Sequence, residues 1–537
     1  MGGQVDHRPS GTPSTSVSLS KKTGVGLCFT ALVLLCSCNS KSKLTPGFAA
    51  TSHVSTTNNP QVARYTISPA KNANVQVEFG TDTTYGRTTS MQAAPAGGGT
   101  VNILVAGLKP FTTYHMRADV DFLDGSETLN DVDQVFTTGG LPANQFPTFT
   151  VTTPEGLTPQ PGIEILDLVG NQPNVVALDL SGNVIWTYSY TGGTPADIIQ
   201  PVKLLPNGHF LVQISPTSSF PVNGNPPPPS GTIIAVREID LAGNTIRELT
   251  LDTLNSSVAA AGLSLSLLDM HHDVLPLPNG HWIVLSEIAK QFPQFGNTNV
   301  IGDVLLDVDP NNKVGWTWST FDHLDVNRHP MNFPDWTHSN AIIYSPDDGN
   351  LLVSMRHQRW VIKIDYNNGL GAGDVIWHLG EGGDFTLSGG TDPTDWFYAQ
   401  HGPSFATELT AGQFSLVLFD NGNNRQFPPS DTCTVTPTPA CNYSTVPLFQ
   451  IDENARTAAL VFHDKLPVFS FFGGYAQMLP NGNIEFDECA TNPSSPMAQV
   501  LEVTNQPSPQ TVWQLQITGA YAYRAFRLPS LYPGVQW

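Results

Sequence analysis

Charge is scarce in this 537-residue chain: Asp, Glu, Lys and Arg make up 13% of it, about half the ordinary fraction. Basic residues are the scarcer sign, 24 Lys and Arg against 45 Asp and Glu, for a net charge of −21. A protein that tracks phosphates along a nucleic acid needs a basic footprint, so the balance argues against nucleic-acid binding. Any anionic small molecule must instead find a local cationic pocket inside a repelling global field. Long apolar runs are missing apart from residues 25–35, a run too short to span a bilayer. Cysteine is rare as well, six in all, with no CxxC and no HxxxH pair at ligand spacing. That argues against a zinc site, and nothing in the composition calls for a metal or an organic cofactor.

What is abundant points one way. Gly 47 and Pro 44 supply many turns, while 40% hydrophobic residues with 10 Trp and 27 Phe exclude wholesale disorder. The expectation is an all-β globular protein. Lys21 and Lys22 precede the short apolar run, as in a signal peptide, and the run ends Leu35-Cys36-Ser37-Cys38. This ending resembles a bacterial lipobox, so residues 1–38 are read as a lipoprotein-type signal peptide, with Cys38 lipidated and the protein anchored in the periplasm or cell envelope. In that oxidising compartment Cys433 and Cys441, in a Pro/Thr-rich loop, are expected to form a disulfide, leaving Cys489 unpaired.

Residues 39–61 are Ser/Thr/Asn-rich and read as a flexible tether. From 62 to 140, alternating segments separated by turn residues predict a small β-sandwich, and the 107–114 string GLKPFTTY resembles the loop-plus-Tyr signature of fibronectin type III domains. From 145 to 537 one unit recurs: a strand, an acidic turn at Asp179, Asp240, Asp307, Asp365, Asp452 or Glu502, a strand often carrying Trp, then a turn of the Leu-Pro-Asn-Gly kind. The turn glycines Gly208, Gly280, Gly349, Gly412 and Gly482 recur roughly every 70 residues, longer than WD40 blades, and six copies predict a six-bladed β-propeller with long insertions. Helix is scarce; residues 255–268 are the best candidate.

In a propeller, equivalent repeat positions converge on one channel mouth, so register predicts a site. His272 lies eight residues before Gly280 and Gln200 eight before Gly208; His338 and His401 each lie eleven before Gly349 and Gly412. Around them stand the strings Met270-His271-His272-Asp273-Val274, Asp335-Trp336-Thr337-His338-Ser339-Asn340, Ser354-Met355-Arg356-His357-Gln358, Gln400-His401-Gly402, Phe419-Asp420-Asn421 through Arg425, and Tyr523-Arg524-Ala525-Phe526-Arg527. Together these resemble the bacterial arylsulfate sulfotransferases over residues 145–537, a family that likewise carries a β-sandwich before its propeller.

The resemblance implies transfer of a sulfuryl group from a phenolic sulfate ester to a phenol acceptor, by a ping-pong route through a sulfohistidine and without a nucleotide donor. It assigns His401 as the nucleophile. A neutral imidazole has the lone pair to attack sulfur, Arg356 suits fork-like binding of sulfuryl oxygens, and Asn340, His271, His272 and His338 are candidate hydrogen-bond donors or substrate contacts. His338 or His272 would move the proton between leaving group and acceptor. Gly402-Pro403 departs from the family, where Thr more often follows the nucleophile. Two other readings stay open at this point: a catalytically silent scaffold or glycan-binding module, since a fold does not fix function, and a hydrolase in which water resolves the intermediate. The resemblance also admits a homodimer.

Overall fold

The computed structural model describes residues 52–537 apart from 127, 142–145, 170–173, 191–196, 217–232, 408–409, 411, 426–441 and 493. Cys38, the signal peptide, most of the tether, and the Cys433 and Cys441 pair lie outside the described residues. Within them the chain is almost entirely antiparallel β-structure. No helix among the described residues is long and apolar enough to cross a membrane.

The N-terminal part is two sheets sharing one core. One pairs His53–Thr56, Ala63–Ile67 and Val101–Val105; the other centres on Ala73–Gly80 and Thr113–Phe122. Burial alternates along Ala63–Ile67 and Ala73–Gly80, so Tyr65, Ile67, Val75, Val77 and Phe79 point into the core while polar residues alternate outward. The tether reading is corrected at its end: His53–Thr56 is a strand, paired His53 to Thr66 through Thr56 to Ala63. Its Ser/Thr/Asn composition serves a turn, in which the Thr57 hydroxyl donates to the Asn59 and Val62 carbonyls. The Tyr114 hydroxyl accepts from the Lys109 N–H at 2.9 Å, five residues upstream, which is the hydrogen bond of a tyrosine corner.

Six further sheets follow, each built on four antiparallel strands; two carry a fifth at the outer edge, Thr148–Thr152 beside Thr511–Thr518 and Thr386–Ser388 beside Thr457–Lys465. In chain order their first strands are Asp197–Leu204, Met270–Pro276, Ser339–Ser345, His401–Phe405, Ala476–Met478 and Tyr521–Leu528. The Leu-Pro-Asn-Gly turns join first and second strands, and their chemistry repeats. Gly208, Gly280 and Gly482 take φ of +84°, +83° and +86°, a region other residues adopt at a cost. The preceding Asn side chain accepts from the N–H two residues on, Asn207 from His209 and Asn279 from His281.

The recurring Trp staples neighbouring sheets. The indole N–H groups of Trp186, Trp318 and Trp513, all on fourth strands, donate to the Leu241, Gly373 and Leu180 carbonyls of the next sheet. The last strand, Tyr521–Leu528, pairs antiparallel with Ile163–Val169, from Ile163 opposite Leu528 to Val169 opposite Tyr521, so the chain's end completes the sheet its beginning started. The first strands contact one another in order from Asp197–Leu204 to Ala476–Met478, and Tyr521–Leu528 touches Asp197–Leu204 on its other side. Starts of distant strands are thereby brought together.

The helix expected over 255–268 forms earlier, at Leu251–Ala260. Thr250 caps it by accepting from the Thr253 N–H, and Leu254 and Val258 bury its apolar stripe. Gly262, at φ +76°, ends it.

Candidate active site

Register breaks aim the functional side chains. In five of the six sheets the first strand carries extra residues against its neighbour: between Ile199 and Val202, Met270 and Val274, Ser339 and Ala341, His401 and Ser404, and opposite Asp167 at Tyr523-Arg524. A bulge bends the strand and re-aims what it carries, and these bulges carry His272, Asn340, Gly402 and Tyr523. His272 and His338 hold φ of +56° and +47°, a conformation that costs L-residues on the order of 1–3 kcal/mol and persists where surroundings impose it. Buried carboxylates accept backbone N–H groups at or beside the bulges: Asp303 from Ser339, Asp273 from Ile342, Asp167 from Arg524, and Asp487 from Ala525.

The departure at Gly402 has a local reason. Its φ is +48°, and a Cβ there would stand 2.7 Å from the Gly474 carbonyl oxygen and 2.8 Å from Tyr475 Cα. Both obstacles are backbone, so Gly402→Ala is expected to destabilise the fold by about 2–4 kcal/mol, combining left-handed strain with an unrelievable clash. Chemical denaturation of the purified variant checks this.

Three sheets deliver one histidine each to a common point. Ring nitrogens of His272, His338 and His401 lie within 4.8 Å of one another; the His272 and His338 ring centres are 4.6 Å apart. Tyr523 completes the cluster with its ring 6.0 Å from those of both His272 and His401, and its buried hydroxyl has no hydrogen-bond partner.

His401 is held in one tautomer. Its Nδ1 is 2.6 Å from Asn421 Oδ1, while Asn421 Nδ2 donates to the Ser470 and Gly473 carbonyls. With the amide so oriented, Oδ1 must accept the Nδ1 proton, which leaves the Nε2 lone pair bare. Burial, and then the Arg356 charge, hold the imidazole well below its ordinary range, so it is neutral at pH 7. His272 is also lowered, by burial and then by His338, and its Nδ1 lies 2.7 Å from His271 Nδ1.

His338 donates from Nδ1 to Asp335 Oδ2 at 2.5 Å. Burial alone would raise Asp335, but His338, then His357, outweigh it and keep the carboxyl well below its usual range. Arg356 heads a short 3-10 turn on the adjoining strand end; one terminal nitrogen meets His357 Nε2 at 2.7 Å, the other the Phe471 carbonyl at 3.3 Å, and buried Nε has no partner. Among the described residues no carboxylate pairs with Arg356, in contrast to Arg425 with Asp420 and Arg527 with Glu164. Asn340 Nδ2 gives one proton to the Gln400 carbonyl at 2.7 Å.

The sequence-predicted His272, His338, His401, Asn340 and Arg356 thus lie on the adjoining sheets that build this cluster. His271 stands apart: it is wholly buried behind His272 and faces Glu287 and Asp303. Of the aromatics flanking the motifs, Trp336, Trp396, Phe397 and Tyr398 are core, and only Phe333 is half exposed. Sequence reading missed three partners: Asn421, Asp335 and Tyr523 stand inside the recognised strings, yet only the folded geometry gives each a contact. A cavity of about 430 Å³, lined by Lys203, Leu275, Tyr344, Phe405 and Phe526, lies on the C-terminal side of the bulges.

A family model, Arylsulfotransferase (ASST), matches residues 155–524. A search of curated protein sequences finds no match. Among solved structures, a putative 6-phosphogluconolactonase from Bacteroides uniformis is 10% identical with a TM-score of 0.36, the alignment covering 69% of this chain and 100% of that one. The lignostilbene dioxygenase of Pseudomonas brassicacearum is 9% identical with a TM-score of 0.32, over 72% and 96%. These structural likenesses are too slight to carry an argument, whereas the family match runs through more than half the chain and every histidine of the cluster. The chain belongs to the arylsulfotransferase family.

Proposed function

We propose that the enzyme transfers a sulfuryl group from a phenolic sulfate ester to a phenol in two displacements through a sulfohistidine at His401. In this reading the six sheets are the blades of a six-bladed propeller, the N-terminal sheets a fibronectin III-like sandwich, and the chain is exported and anchored through Cys38. The observation that carries the chemistry is the His401–Asn421 pair.

In the first displacement the Nε2 lone pair attacks sulfur, the S–O bond to the aryl ring breaks, and the leaving oxygen takes a proton from His338. The proton stays on His401 Nδ1, hydrogen-bonded to Asn421 Oδ1, so the intermediate is an N-sulfonated imidazolium, a good sulfuryl donor. In the second, His338 takes the acceptor phenol's proton as its oxygen attacks sulfur, restoring His401. Asp335 suits this traffic because it stabilises the His338 imidazolium that donates in the first displacement and is restored in the second. Arg356, in no salt bridge with a carboxylate among the described residues, faces the anionic oxygens throughout, and the Tyr523 hydroxyl and the remaining Asn340 N–H supply further donors.

The depressed His401 predicts a pH profile. An imidazole at its ordinary value near 6.5 would lose half its nucleophile there; one held far lower stays neutral. The His401 limb of kcat/KM is therefore expected to stay flat from pH 8 down through 6.5, with the fall displaced to more acid pH. A midpoint at the ordinary imidazole value would contradict this.

Steady-state kinetics with a chromogenic aryl sulfate and varied phenol test the route. Parallel double-reciprocal lines, with phenol accelerating release of the donor's phenol, are expected. Intersecting lines refute the two-step route, and release unaffected by phenol supports a hydrolase.

A further inference from the structure

We infer that the buried residues behind His272 form a divalent-cation site, with His271 Nε2 and one carboxylate oxygen each from Glu287 and Asp303 as ligands. Their three ligand atoms lie within 4.8 Å of one another. The residues are 0%, 4% and 2% exposed, and they come from two adjacent strands plus the bulge of Met270–Pro276.

The distances decide between a hydrogen bond and a shared ion. His271 Nε2 stands 3.4 Å from Asp303 Oδ1 and 3.9 Å from Glu287 Oε1. A charge-assisted hydrogen bond closes to about 2.8 Å. Two ligands of one ion, with bonds of about 2.0–2.2 Å at a tetrahedral angle, stand roughly 3.4 Å apart. The unsatisfied atoms agree: His271 Nε2 and Glu287 Oε2 are buried with no hydrogen-bond partner, although each is surrounded by polar groups.

Charge points the same way. Asp269 adds a third carboxylate beside the cluster, buried, with its Oδ2 also unpartnered. Among the described residues neither Lys nor Arg pairs with Asp269, Glu287 or Asp303; His271 is the basic side chain that approaches Glu287 and Asp303, while Asp303 Oδ2 accepts from Thr337 and Ser339 and leaves Oδ1 to the cluster. Buried carboxylates are paired or coordinate metals. One imidazole with carboxylate oxygens suits Zn²⁺ or Mn²⁺ rather than a thiolate-seeking ion. The CxxC and HxxxH spacings whose absence argued against zinc do not describe such a site, because its ligands are adjacent across strands, not along the chain.

The site has a consequence for its neighbour. A cation on His271 Nε2 leaves the ring proton on Nδ1, 2.7 Å from His272 Nδ1. His272 then accepts at Nδ1 and carries its own proton on Nε2, toward the histidine cluster. His271 is thus a positioning residue, and this last step alone rests on the sulfuryl-transfer reading.

The test uses the full chain, loaded with ZnCl₂ or MnCl₂, desalted and analysed for metal by mass spectrometry, with melting temperature read before and after EDTA. One equivalent per chain is expected, with a lowered melting temperature on chelation. In Glu287→Gln the retained metal should fall at least tenfold, whereas His401→Ala should keep its full equivalent. Wild-type protein that takes up no metal overturns the site, whether or not the variants fold. So does metal lost in His401→Ala but kept in Glu287→Gln, which would put the ion on the other three histidines. Metal-free protein with full transferase activity would remove His271's positioning role while the metal uptake still decides the site; metal-loaded protein inactive on aryl sulfates would overturn the catalytic reading and leave the site standing.

Discussion

His401→Ala is expected to lower kcat/KM for aryl sulfates by about 10⁴-fold or more while the protein stays folded. Removing a covalent nucleophile leaves only the residual catalysis of binding and charge stabilisation, and knockouts of such residues cost about 10⁴–10⁶. Its side chain hydrogen-bonds to Asn421, and the positive-φ residue beside it is Gly402 rather than itself, so truncation leaves the bulge standing. Rates of donor-phenol release, with circular dichroism as the fold control, decide this. Turnover within tenfold of wild type would mean that the bare Nε2 lone pair is not the attacking group.

Arg356→Ala carries the second largest effect, a loss of about 10²–10³ in kcat/KM, the usual cost of removing one oxyanion donor from a water-poor site. The size follows from the surroundings. Arg356 is half-buried, touches His357 and the Phe471 carbonyl, and forms no salt bridge with a carboxylate among the described residues, Asp335 acting on it only at longer range. A guanidinium in a merely structural ion pair would behave differently, with stability falling and activity persisting. Because a forked donor differs from a point charge, Arg356→Lys should recover only part of the loss. Removing the charge also relieves His401, which Arg356 holds down. Arg356→Ala should therefore move the acid limb of the pH profile upward, a shift no packing defect would produce.

How much of this was legible beforehand follows from where each signal resides. Turn chemistry is local, so Leu-Pro-Asn-Gly with its φ-positive glycine announced the sheets, and counting back from Gly280, Gly349 and Gly412 put three histidines near one strand end. The differing offsets, eight for His272 and eleven for His338 and His401, already reflected the irregular strand starts, but bulges have no sequence signature of their own. That is why the count could not say that His271 turns inward to Glu287 and Asp303 while its neighbour His272 joins the cluster. Asn421 was invisible as a partner because its role depends on two backbone carbonyls, Ser470 and Gly473, about fifty residues away. The strand His53–Thr56 escaped for the opposite reason: edge strands need little apolar patterning, and Ser and Thr serve a turn and a tether equally well.

The sulfohistidine at His401 is the intermediate on which the transfer turns. Protein mixed with excess aryl sulfate and no acceptor, quenched within one turnover and digested, should carry a single added sulfuryl group on the peptide containing His401, and added phenol should discharge it. Unlabelled protein at a time when donor phenol has been released, or a sulfuryl group on another residue such as Tyr523, would contradict it.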